Sequence, residues 1–116
     1  MYRIVLLVVV VLALSACSAL RPMTLSEARG FCNTADGNGA SGDDGSSTGS
    51  CRQQLEICAQ FFDPLAVGTW SRQSCLDHCN QVQAVMYHEH AVDDCSMGVK
   101  RADELCEQYC RGNLPR

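Results

Sequence analysis

Cysteine and histidine are the residues of this 116-residue chain whose types and spacing could do chemistry; it has nine of the first and three of the second. Cys75-x3-Cys79 and Cys106-x3-Cys110 are the most specific pattern. Residues four apart share one face of a helix, one turn above the other. Two antiparallel helices carrying such pairs can be cross-linked twice, Cys75 to Cys110 and Cys79 to Cys106, in a single register. That register sets Met86 against Val99 and puts the hairpin turn near His90 to Asp94. Bridging inside one motif is disfavoured, because side chains a turn apart exceed the usual Cβ separation of about 3.5–4.5 Å. Thiol redox catalysis typically uses an exposed, low-pKa C-x-x-C pair, and the sequence contains none.

The double-stapled hairpin resembles the twin-Cx3C helices of the small chaperones of the mitochondrial intermembrane space. The likeness covers four cysteines, with 26 residues between the motifs, and implies a pairing geometry but no function. Cys51 and Cys58 would sit two helical turns apart, roughly 10 Å, and so must reach outward. Cys95, near the turn, is the expected partner of Cys58, which leaves Cys51 for Cys32 across a glycine-rich tract. Each bridge should contribute ~2–4 kcal/mol, a usual remedy for a domain too small to bury much apolar surface.

Cys17 is the odd cysteine, and its surroundings differ. The chain opens MYRIVLLVVVVLALSACSALRP, with Arg3, an apolar run from Ile4 to Leu14, and then Ser15 and Ala16. That run is too short for the roughly 20 residues of a membrane span and has the three parts of a secretory signal peptide. Leu14-Ser15-Ala16-Cys17 resembles the lipobox of bacterial lipoproteins at all four positions. The resemblance implies cleavage before Cys17, a diacylglyceryl group on its thiol, and in many Gram-negative bacteria acylation of the new amino terminus. Two or more acyl chains give stable anchoring, at ~0.8 kcal/mol per buried CH₂. Ser18 is not the Asp that often retains such proteins at the inner membrane, so the outer membrane, facing the periplasm, is expected. With Cys17 lipidated, the other eight cysteines form the even set of a disulfide framework in an exported chain.

His78, His88 and His90 form the alternative, metal-binding reading. On a helix His88 and His90 point about 200° apart, so they could chelate together only in a turn. HExxH and C-x-x-C-H are absent, which removes zinc-protease and c-type haem chemistry. Gly45-Ser46-Ser47-Thr48-Gly49 matches G-x-S-x-G but lacks the strand and sheet of a nucleophile elbow. The tract from Asp36 fails the calcium-loop pattern at Ala40, Ser41 and Ser47. No catalytic residue, enzyme activity or cofactor is assigned.

The elements that must position these residues follow from periodicity. Thr24 and Glu27 have capping-box spacing for a short helix. Residues 34–50, with five glycines and no large apolar side chain, read as a flexible linker. Ser50 and Gln53 could cap a second helix with Cys51, Leu55, Cys58 and Phe62 on one face. Asp63-Pro64 should end it, and Thr69 or Ser71 should cap the next. In the two hairpin helices the seams are Cys75, Cys79, Val82 and Met86, and Val92, Cys95, Val99, Ala102, Cys106 and Tyr109, with Gly112 as the stop. Trp70 reads as a packing residue.

The expected organisation is a signal peptide at 1–16, a lipid-anchored tether at 17–23, and a short, loosely attached helix at 24–33. The linker at 34–50 and a disulfide-rich helical domain at 51–112 follow. The fold class is all-α, a small disulfide-stapled helical domain built on an antiparallel helical hairpin. The mature chain would carry eight basic against thirteen acidic side chains, which does not suit nucleic acid. The expected partners are a membrane, through Cys17, and a protein in the periplasm, in a structural or interaction role.

Overall fold

The computed structural model describes residues 21–34 and 51–116, and those residues hold four α-helices and no strand. Helix α1 spans Leu25–Asn33, α2 Gln54–Phe62, α3 Arg72–Glu89 and α4 Ser96–Asn113, with a 3₁₀ turn at Pro64–Ala66. The fold is the expected disulfide-stapled helical domain. Linker residues 35–50, the capping position at Ser50 and the first 20 residues, Cys17 among them, lie outside the described residues.

Each helix begins and ends for a local reason. At α1 the Thr24 hydroxyl accepts the Glu27 N–H at 3.1 Å and the Thr24 N–H returns to Glu27 Oε2 at 2.7 Å, satisfying orphan donors reciprocally. The bonds from Thr24 hold the Glu27 carboxyl below its ordinary range. Ser71 caps α3 the same way with Ser74 as its partner. Helix α2 begins at Gln54, with Gln53 at its N-cap making no side-chain bond. Its ladder ends at Pro64, which has no N–H to donate, and Gly68, at φ +88°, lets the chain reverse toward α3. Between α3 and α4, Asp93 accepts the Cys95 N–H at 2.9 Å and closes the turn.

Helices α3 and α4 pack side by side, α2 lies against both, and α1 packs on α2 and α4. Phe61, Phe62, Ile57, Val99 and Leu105 fill the centre together with the bridged sulfurs. At the end where α3 starts and α4 stops, the Arg72 guanidinium donates to the carbonyls of Arg111 (3.0 Å) and Leu114 (2.9 and 3.1 Å). Carbonyls at a helix C-terminus lack intrahelical partners, so this contact both satisfies α4 and ties it to α3.

Four expectations are corrected. The buried face of α2 is Gln54, Ile57, Cys58, Phe61 and Phe62, while Leu55 is 67% exposed; Cys51 precedes the helix and cannot extend its stripe. Val92 is 99% exposed because it sits in the turn and not on α4. Gly112 lies inside the last turn of α4, which runs on to Asn113. Helix α1 is not loosely attached: Ala28 and Cys32 are wholly buried, Met23 before it is buried too, and Arg29 pairs with Asp63 beyond α2.

Candidate functional site

The cysteines stand where the helices carry them. Cys75 is bonded to Cys110 and Cys79 to Cys106, with Cα separations of 5.7 and 5.9 Å, both within the range of ordinary bridges. The single antiparallel register serves both. The other two expected pairs, Cys58 with Cys95 and Cys32 with Cys51, are corrected: Cys32 joins Cys58 and Cys51 joins Cys95. The reason is the late start of α2. With Cys51 outside the helix, it lies against the hairpin turn and meets Cys95 at 4.8 Å Cα to Cα. Cys58, on the buried face, meets the end of α1 at 5.8 Å. All eight cysteines of the described residues are therefore bridged.

The three histidines are held separately. His78 Nε2 lies 2.9 Å from the Phe61 carbonyl, with its ring 5.4 Å from that of Trp70, whose N–H donates to the Val67 carbonyl. Trp70 is thus a packing residue under the loop before α3. His88 is exposed on α3. His90 is buried at the hairpin turn, with Nδ1 2.6 Å from Asp93. That hydrogen bond, with the Cys95 N–H second, holds the Asp93 carboxyl below its ordinary range. Two groups of potential metal-ligand atoms come within 4.8 Å of one another, Cys75–Cys79–Cys110 and His90–Asp93–Cys95. Every sulfur in them belongs to a disulfide, and a metal takes the thiolate, so neither group offers a sulfur donor while oxidised.

Two polar side chains matter that sequence reasoning passed over. Gln54 is 3% exposed; its Nε2 donates to the Cys32 carbonyl at 3.1 Å and the Gly98 carbonyl at 3.4 Å, while its Oε1 has no partner. It thereby joins the end of α1, the start of α2 and the start of α4. Asp103 is 7% exposed in the α3–α4 seam, where Gln83 donates to Oδ2 at 2.7 Å and Oδ1 has no partner. Burial first, then the neighbouring Glu107 and Glu104, push its pKa up to about 6 against the opposing pull of Arg111. Both could have been found from periodicity. Gln54 stands three and four residues before Ile57 and Cys58, and Asp103 three before Cys106, on the faces that pack.

A cleft of about 450 Å³ opens between α2 and the second half of α3. Ile57, Val85 and Met86 are its apolar lining, with Val85 alone of the three exposed, and Glu56, Glu89 and Asp93 are its acidic residues. A shallower hollow of about 180 Å³ continues it toward His78, sharing Gln60, Val85 and Met86. No helix among the described residues is long and apolar enough to cross a membrane. Comparison with protein-family models, with curated proteins and with solved structures gives no match.

Proposed function

We propose that the chain is an exported lipoprotein, acylated at Cys17, whose helical domain faces the periplasm as a structural or protein-interaction module. The observation that carries this reading is the closed pairing of the other eight cysteines. None of them needs Cys17, which leaves the lipobox cysteine as the single thiol with another task. Four bridges in a short chain suit an oxidising compartment, and an acidic surface suits neither nucleic acid nor electrostatic attachment to anionic lipid. The acyl chains would then be the whole of the membrane attachment, on the outer membrane by the lipoprotein resemblance.

The test is the intact mass of membrane-extracted protein, with thiol titration after unfolding. Expected are a mature form beginning at acylated Cys17, no free thiol, and stalled processing in Cys17→Ala. A lipid-free mature form overturns the reading. Stoichiometric zinc or copper uptake, lost in His78→Ala with His88→Ala and His90→Ala, would replace it with the metal-binding alternative.

A further inference from the structure

We propose that the cleft between α2 and α3 is the docking site of this module, and that its occupant is a basic amphipathic segment of another protein. This deepens the interaction role proposed above and rests on it. The apolar strip along the groove lies on α3: Val85 is 52% exposed and Val82, in the adjoining hollow, is half-buried, while Ile57 and Met86 behind them belong to the core. Aliphatic side chains left open along one wall of an interhelical groove are what the apolar face of an amphipathic helix covers. From His78 to Glu89 the groove runs along α3 for about 16 Å, the length of three turns of helix.

Charge selects among the possible occupants. Glu56 and Glu89 stand exposed at the cleft with Asp93 at its end, and neither Lys nor Arg lines it. Residues 35–50 of the same chain carry Asp36, Asp43 and Asp44, no basic residue and no large apolar side chain, so they match neither the apolar strip nor the rim. A second copy would bring acid against acid across a shared cleft. Lys or Arg flanking aliphatic anchors complements both features, and such complementarity favours encounter and suppresses wrong partners.

The test places a photo-reactive amino acid at Gln60 or Val85 of the full-length chain in cells, with Arg101 on α4 as the position outside the cleft. Cross-linked peptides are then sequenced by mass spectrometry. Expected are adducts from Gln60 and Val85, but not Arg101, on one protein segment with basic residues in excess and aliphatic residues at helical spacing. Glu56→Lys with Glu89→Lys should cut the yield at least about fivefold, as two exposed attractions become repulsions, while Glu56→Asp with Glu89→Asp should keep it. Adducts on a second copy, on residues 35–50, on lipid, or on a neutral or acidic segment overturn the proposal, as does a yield no greater than from Arg101. If Cys17 is acylated and capture occurs only from Arg101, the interaction role stands and the cleft falls. An unacylated Cys17 with the expected basic adduct does the reverse to the lipoprotein reading.

Discussion

Asp103→Asn measures what a buried carboxylate costs the hairpin. The pKa of Asp103 rises from 3.8 to about 6 in the folded protein. Each unit is 1.36 kcal/mol of difference between the two protonation states, so ionised Asp103 takes ~3 kcal/mol from stability well above both values. The sign follows from proton uptake. Between the two pKa values the native state holds more protons than the unfolded chain, so stability falls as pH rises through this window. Asparagine keeps an acceptor for Gln83 and removes the charge, but its amide donors enter a pocket where Oδ1 already lacks a partner. That fault costs ~1–3 kcal/mol at every pH. The readout is therefore the pH dependence of the difference between variant and wild type, from denaturant unfolding with the disulfides intact. Glu27 and Asp93, whose carboxyl pKa values are lowered, cancel in that difference. From about pH 4 to about pH 8 the variant should gain ~2–3 kcal/mol on the wild type. A difference flat across that range, or one that falls with pH, would refute a desolvated Asp103 between α3 and α4.

Gly98→Ala should destabilise by ~1–3 kcal/mol, because the new methyl would collide with the Gln54 side-chain amide; adding Gln54→Ala should recover part of that clash, and simple additivity in the double mutant would deny the contact. Cys75→Ala with Cys110→Ala opens a 35-residue loop and should cost about 4 kcal/mol while circular dichroism keeps its helical signal. Removing Cys79 and Cys106 as well should abolish that signal, and its survival would show that the seam holds without staples. A protease site inserted between Ala35 and Gly49 should leave fragments joined through Cys32–Cys58 until reductant is added; separation without reductant excludes that bridge.

Legibility followed how local the cause was. The Thr24–Glu27 cap, the hairpin turn and the register shared by Cys75–Cys110 and Cys79–Cys106 each depend on spacing within one element or one helix pair, and spacing is written in the chain. The partners of Cys32, Cys51, Cys58 and Cys95 depend on where α2 begins. Counting Cys51 into the helix draws a stripe through Leu55; without it the packed stripe is Gln54, Ile57, Cys58, Phe61 and Phe62, and Cys51 is free to pair elsewhere. Helix ends are the least determined part of any periodic pattern, and here a shift of three residues decided two bridges. The cleft is legible only after both of its walls are placed, since Glu56 and Glu89 are 33 positions apart in sequence.

The nearness of Pro22 to Gly112 gives the domain an up and a down. Arg21 and Pro22 lie against the end of α4, beside the start of α3 that Arg72 ties there. From Cys17 to Arg21 the chain can extend at most about 14 Å. An acyl-held Cys17 would therefore leave the domain on a short leash, with its Arg72 and Gly112 pole next to the lipid. Helix α3, 18 residues long, runs about 27 Å from that pole. His90, the hairpin turn and the acidic mouth of the cleft stand at its far tip. A partner embedded in the same leaflet would have to reach up to them, whereas one crossing the periplasm would meet them first.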